Sequence, residues 1–306
     1  MGRRTRRFGT ACVVTAGLAL SLAACGSSSG SGNRIAGLGE LKVVAAENIW
    51  GDIAKQIGGE HVAVTSLISD PSADPHTFES GPKVAAAIGT ADVVILNGAG
   101  YDDFASKLLS ANARSGRVVV TVADVVGITS GSANPHLWYS AAYVTSAARA
   151  ISSEFTAKDP ADASAYAGGL AQFLAAYAPY ADVVAQINGR YAGTKVAYTE
   201  RVPGYLIASA GLELGAPQGF AQAVEDGNDP SLGDTAAFAT ALRDHAIKVL
   251  LYNDQVTDSV TDKIKSDATS AGVPIVGVAE TIPKGAASFQ QWQIDQAKAL
   301  LAALGG

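Results

Sequence analysis

The sequence predicts an α/β protein of two lobes, each a mainly parallel sheet flanked by helices, joined by one long rigid helix. Short β-branched runs alternate with helical stretches over residues 41–160, and a second such alternation fills residues 192–306. Between them, residues 161–191 carry the most sustained helical periodicity of the chain.

In the first lobe the predicted strands are Lys42-Val43-Val44-Ala45, Val62-Ala63-Val64-Thr65, Asp92-Val93-Val94-Ile95-Leu96 and Arg117-Val118-Val119-Val120, with helical character at residues 50–57 and 83–88. In the connector, Tyr166, Leu170, Phe173, Leu174, Tyr177, Ala181, Val184 and Ile187 step by three and four, which places them on one helical face. Pro179 falls inside that run, so a kink or an interruption is expected there. A single long helix between lobes resists hinge opening. The second lobe has strands at residues 195–198, 247–252 and 274–278, and helices at 235–243, 256–271 and 289–304.

Residues 1–24 read as a signal rather than as fold. Arg3, Arg4, Arg6 and Arg7 form a positive start, followed by an apolar stretch from Ala11 to Leu22 that is too short to span a bilayer as a mature helix. The stretch closes on Leu22-Ala23-Ala24-Cys25-Gly26, which resembles a bacterial lipobox, so Cys25 is expected to take a diacyl anchor. Thr5-Arg6-Arg7-Phe8 also carries an arginine pair of the twin-arginine kind. Residues 25–40 follow as a Gly/Ser-rich linker, a flexible tether in composition. The expected location is the outer face of a cytoplasmic membrane, held there by lipid.

The chain carries a formal net charge of −6, and residues 1–24 remove four arginines and no acid, so the remainder is more acidic still. Beyond residues 1–24, clustered Lys and Arg, the footprint of nucleic-acid binding, are missing from the sequence. The two cysteines are Cys12, inside the signal, and Cys25. With Cys25 acylated, the folded part would have no thiol for a disulfide, a thiolate metal site or a cysteine nucleophile.

Two of the four histidines lie in nearly the same phrase. Ala73-Asp74-Pro75-His76-Thr77-Phe78-Glu79-Ser80 matches Ala133-Asn134-Pro135-His136-Leu137-Trp138-Tyr139-Ser140 at Ala, Pro, His and Ser. Proline fixes φ beside each histidine, and Asp or Asn at a turn bonds nearby backbone, so each imidazole sits on a stiff corner. Such imidazoles suit a metal ion or a catalytic base. His61 and His245 lack that context and read as surface or helix-end residues; Asp226, Asp229 and Asp254 lie in turns or at strand ends and need no ligand role.

The phrase around His76, then Ala91-Asp92-Val93-Val94-Ile95-Leu96-Asn97-Gly98, then Asn134-Pro135-His136-Leu137-Trp138, resembles the metal-binding solute-binding lipoproteins of ABC transporters, the cluster A-I family that serves manganese and zinc importers and includes adhesin-like lipoproteins. The resemblance runs from about Leu41 to the end of the sequence. It implies two α/β lobes bridged by a rigid helix, with the ion in the cleft and two ligands from each lobe. Carried over, those ligands are His76 and His136 from the first lobe, Glu200 after the strand at 195–198, and Glu280 after the last strand, where the family more often has aspartate. It also implies a non-catalytic function: capture of a divalent ion, Mn2+ or Zn2+, and delivery to the ABC permease of a metal importer, by a protein expected to be a monomer.

Two imidazoles and two carboxylates leave the metal open, because zinc binds such groups more tightly while carboxylates suit manganese. The absence of a histidine-rich loop tilts the expectation slightly towards manganese. Two other classes compete. A secreted zinc-dependent hydrolase would need an open coordination position, and no His-Glu-x-x-His phrase is present. A structural or adhesive surface lipoprotein would need no converging ligands.

Overall fold

The computed structural model describes residues 40–70, 78, 81–129 and 133–306. The signal, Cys25, the linker and His76 lie outside the described residues.

In chain order the first lobe contains β1 (Leu41–Glu47), α1 (Asn48–Gly58), β2 (Val62–Ile68), α2 (Pro82–Thr90), β3 (Val93–Leu96), α3 (Asp103–Ala111), β4 (Val118–Thr121), a short α4 (Val122–Val125) and α5 (Ala141–Lys158). Its strands form one parallel sheet in the order β2-β1-β3-β4. Helices on both faces explain why β1 and β3 read as almost unbroken apolar runs rather than alternating ones.

The connector α6 (Ala163–Tyr191) follows a single turn at Pro160–Asp162. At 29 residues it runs about 43 Å. The helix is continuous through Pro179, so no interruption occurs there. Its buried stripe is Tyr166, Phe173, Tyr177, Tyr180, Val183, Val184 and Ile187. Beyond the proline Val184 and Ile187 are buried as expected, Tyr180 and Val183 join them, and Ala181 is exposed.

The second lobe contains β5 (Lys195–Tyr198), α7 (Gly204–Ser209), β6 (Glu213–Leu214), α8 (Gln218–Glu225), α9 (Leu232–Arg243), β7 (Leu250–Asn253), α10 (Ser259–Ser270), β8 (Ile275–Val278) and α11 (Phe289–Leu304). Its strands are parallel in the order β6-β5-β7-β8. Asp258 starts α10 with a capping box to Thr261, which fixes the helix start later than the periodicity alone suggests.

One apolar core runs through both lobes along α6. Tyr177 stacks on Phe173 and Tyr180, and Phe289 of α11 closes on Tyr177 with ring centroids 5.6 Å apart. The helix α11 therefore returns from the second lobe to the connector and to α1, where Asp52 accepts from the Phe289 backbone N–H at 2.9 Å and Gln56 and Gln290 exchange amide bonds. Gly169 of α6 is required by this packing: a Cβ there would lie 2.3 Å from the Ile57 carbonyl oxygen of α1.

Candidate metal centre

In each lobe the polar residues gather at the carboxyl ends of the parallel strands, where open α/β sheets place their ligands. Asn97 follows β3 directly and is fully buried. Its side-chain amide donates to the Pro135 carbonyl at 2.8 Å, and its oxygen accepts from Trp50 Nε1 at 3.2 Å. This ties the end of β3 to the corner that carries His136.

The chain then turns through Gly98, Ala99 and Gly100, all left-handed at φ 78°, 55° and 83°. Two glycines suit that path, whereas Ala99 is a strained residue there. Asp102 holds the turn by accepting from the Asn97 and Gly98 backbone N–H groups at 2.6 and 2.9 Å. The turn delivers Tyr101 towards the second lobe.

His136 is fully buried. Asn134 Oδ1 accepts both its backbone N–H, at 3.0 Å, and its ring Nδ1–H, at 2.7 Å. The orientation of the Asn134 amide follows from its other end, where Nδ2 donates to the Arg201 carbonyl at 2.7 Å. With Nδ1 committed as a donor, Nε2 is left to face Glu280, the arrangement in which an outer partner fixes the tautomer of a metal-binding histidine. Tyr101 and Trp138 pack edge-on around this ring, with centroids 5.7 and 5.3 Å away.

From the second lobe come Glu200, immediately after β5 and Thr199, and Glu280, two residues after β8; both are buried. Glu280 Oε2 lies 3.3 Å from His136 Nε2 and accepts from the Tyr101 hydroxyl at 2.9 Å. Asn253, at the end of β7, donates from one amide nitrogen to Glu200 Oε2 at 2.7 Å and to Glu280 Oε1 at 2.8 Å. Gln255 Oε1 accepts the backbone N–H groups of Glu280 and Thr281 and so fixes the peptide that carries Glu280. The same segment is tied to the first lobe, because Asn48 bonds both backbone groups of Ile282 and the Tyr139 hydroxyl donates to the Ala279 carbonyl.

Three of the four residues expected from the sequence, His136, Glu200 and Glu280, thus share one buried network across the lobes, and the fourth, His76, lies outside the described residues. Among the described residues no three His, Cys, Asp or Glu side chains stand at metal-ligand spacing: His136 and Glu280 meet directly, and Glu200 joins them through Asn253. The other histidines and one of the acids set aside from the sequence have different surroundings. His61 bonds Asp162 at 2.6 Å, His245 is exposed beyond α9, and Asp254 points to Lys265 at 3.7 Å.

The sequence reading missed Tyr101, Asn253 and Gln255. For the last two a signal was present, since polar residues directly follow the buried strand Leu250–Asn253. It also passed over Glu47, at the end of β1, which is fully buried and has no hydrogen-bond partner for either oxygen among the described residues. Burial, and then the nearby Asp102, hold the Glu47 carboxyl well above the usual carboxylate range. Burial likewise pushes Asp102 up to about 6.

The two parallel-sheet lobes joined by α6, with a buried polar network between them, are the architecture of a two-lobed solute-binding protein, and the family match bears this out. Residues 43–303 match the family described as zinc-uptake complex component A, periplasmic (ZnuA), and the chain belongs to that family. It is a family of binding components rather than enzymes. A putative metal-binding protein of Treponema pallidum is 26% identical over 257 residues, covering 77% of this chain and 78% of that protein. The manganese-binding lipoprotein MntA of Halalkalibacterium halodurans is 28% identical over 159 residues, so the match covers 51% of this chain and about half, 52%, of that protein. Among solved structures, the periplasmic zinc binding protein TroA from Treponema pallidum superposes with a TM-score of 0.75 at 17% identity, over 88% of this chain and 100% of that one. The solute-binding protein FpvC of Pseudomonas aeruginosa, in complex with Mn2+, gives a TM-score of 0.71 at 23% identity, over 87% of this chain and 98% of that one.

Proposed function

We propose that this protein is an extracytoplasmic solute-binding lipoprotein that captures a divalent transition-metal ion, manganese or zinc, between its lobes and hands it to the permease of an ABC importer. The observation that carries the reading is the pairing of His136 Nε2, its tautomer set by Asn134, with the Glu280 carboxylate from the opposite lobe at 3.3 Å. That separation is longer than a charge-assisted N–H···O bond of about 2.7–2.9 Å, and it presents two electron-pair donors to one point. His136, Glu200 and Glu280 would be ligands, with His76 as the second imidazole by sequence; Glu200 would close on the pair when the ion binds.

Membership in a metal-uptake family and the metals named for the relatives support this reading. No described helix is long and apolar enough to cross a membrane; the lipobox-like sequence around Cys25 supports attachment through that residue. Capture requires no reaction. The ion contributes binding energy to the closed lobes, and release would require the permease to disturb the contacts around Glu280.

The test is metal content and thermal midpoint of protein stripped of metal and then equilibrated with equimolar manganese and zinc. Specific loading should raise the midpoint by mass action, and His136→Ala should lose most of the binding. No loading of the parent protein, or unchanged loading in His136→Ala, sinks the proposal.

A further inference from the structure

We propose that Asn253 sets the metal preference of the cleft by restricting Glu200 and Glu280 to one ligating oxygen each, which selects a low-coordinate ion of the zinc type over manganese. This rests on the metal-binding reading above and specifies it.

The amide of Asn253 has a determined orientation. Its Oδ1 accepts the Gln255 backbone N–H at 3.1 Å, so Nδ2 must face the two carboxylates. One proton goes to Glu200 Oε2 and the other to Glu280 Oε1, at 2.7 and 2.8 Å, inside a fully buried site. An NH2 group has two protons and both are used. Each carboxylate is therefore gripped at one oxygen, and only its other oxygen is directed away from the amide. For Glu280 that other oxygen, Oε2, also takes the Tyr101 hydroxyl at 2.9 Å and faces His136 Nε2.

The consequence is a cap on coordination number. A carboxylate free to rotate can chelate with both oxygens, as hard, oxygen-seeking ions of high coordination number favour. Here either glutamate could chelate only by bringing the ion onto the oxygen that the Asn253 amide already holds, so the amide competes with the ion for that oxygen and fixes how far the carboxylate can turn. Zinc, which accepts four ligands in a tetrahedron, loses nothing from that restriction, whereas an ion that prefers six oxygen-rich positions does. The donor types alone leave the metal open, and the absence of a histidine-rich loop tilts slightly towards manganese; the amide between the carboxylates reverses that tilt.

Co2+ serves as the probe, because its visible absorption is intense in a tetrahedral site and weak in an octahedral one. The metal-free parent protein loaded with Co2+ should give the intense band, and competition titrations should show Zn2+ bound in preference to Mn2+. In Asn253→Ala the Co2+ band should weaken, and the preference for Zn2+ over Mn2+ should fall about tenfold or more, the usual range for loss of an outer-shell partner. A weak, octahedral band in the parent protein overturns the proposal whether or not the variant folds. So does an Asn253→Ala protein with band and preference both unchanged. Retained Co2+ binding in His136→Ala would instead indict the metal-site reading itself.

Discussion

The Tyr101 hydroxyl of the first lobe donates to Glu280 Oε2 of the second at 2.9 Å, and both side chains are buried. A buried hydrogen bond to a charged acceptor contributes about 1.5–3 kcal/mol. Removing it while keeping the ring isolates the bond. Tyr101→Phe should therefore preserve the fold, loosen the grip on Glu280 and weaken metal binding several-fold, with most of the change in the dissociation rate. Stopped-flow chelator competition measures that rate, and an unchanged rate would show that Tyr101 contributes only packing against His136 and Trp138.

Asn134 has two separable duties, orienting His136 and bonding the Arg201 carbonyl. Asn134→Ala removes both, and a loss of about 10- to 100-fold in metal affinity is expected for an outer-shell partner of a ligating histidine. Asn134→Asp keeps an acceptor for Nδ1–H and loses the donor to Arg201. Its affinity should fall between that of the parent and that of the alanine variant. Calorimetric titration of the three proteins checks the order.

Glu47 and Asp102 give the metal-free protein a particular pH dependence. In the unfolded chain both ionise near ordinary carboxylate values, while in the fold burial raises Asp102 to about 6 and Glu47 well above its usual range. Below about pH 4 both states hold the proton and no charge is buried. As pH rises the unfolded chain ionises first, so the contribution of these groups to stability falls, for Asp102 between about pH 4 and 6 and by about 3 kcal/mol once complete. For Glu47 the decline continues to higher pH. Denaturant titrations across pH 4–9 should show Glu47→Gln declining less steeply above pH 6 than the parent; parallel curves would count against a charged Glu47 in the unfolded chain and a neutral one in the fold.

Two neighbouring glycines of α6 should behave oppositely. A Cβ at Gly169 would meet the Ile57 carbonyl oxygen at 2.3 Å, whereas one at Gly168 meets nothing within 4 Å. Gly169→Ala must push α6 away from α1 and should cost about 1–3 kcal/mol. Gly168→Ala should stabilise by about 0.5–1 kcal/mol, because alanine is the better helix former. Thermal midpoints of the pair test the packing of connector on first lobe.

Much of the architecture was legible because it rests on local pattern. The buried parallel strands announce themselves as runs such as Val93-Val94-Ile95-Leu96, and α11 begins and ends where its periodicity does. The helix Ala141–Lys158 was not singled out, since its small residues Ala141, Ala142, Ser146, Ala147, Ala148 and Ala150 give a weak apolar stripe; its buried face is carried largely by Val144, Ile151 and Phe155. Of the residues in the buried network, His136 could be named from its repeated phrase, and Glu200 and Glu280 from the family resemblance. Asn253 and Gln255 had only the signal of polar residues at the end of a buried strand, which does not say what they hold; Tyr101 could not be named, because its role comes from Glu280, 179 positions away. A hydrogen-bond partner that distant leaves no trace in local spacing. The two-residue strand Glu213–Leu214 is likewise defined only by its neighbour β5.

The return of α11 to the first lobe bears on the order in which the polypeptide can mature. Asn48, Asp52 and Gln56 find their partners at Ile282, Phe289 and Gln290, about 235 positions later. A nascent chain that has translated its first lobe and connector still lacks the residues that seal α1, so that lobe stays open until nearly the whole sequence has been synthesised. Contacts of such long range slow folding. The last helix to arrive is the one that locks the lobes together.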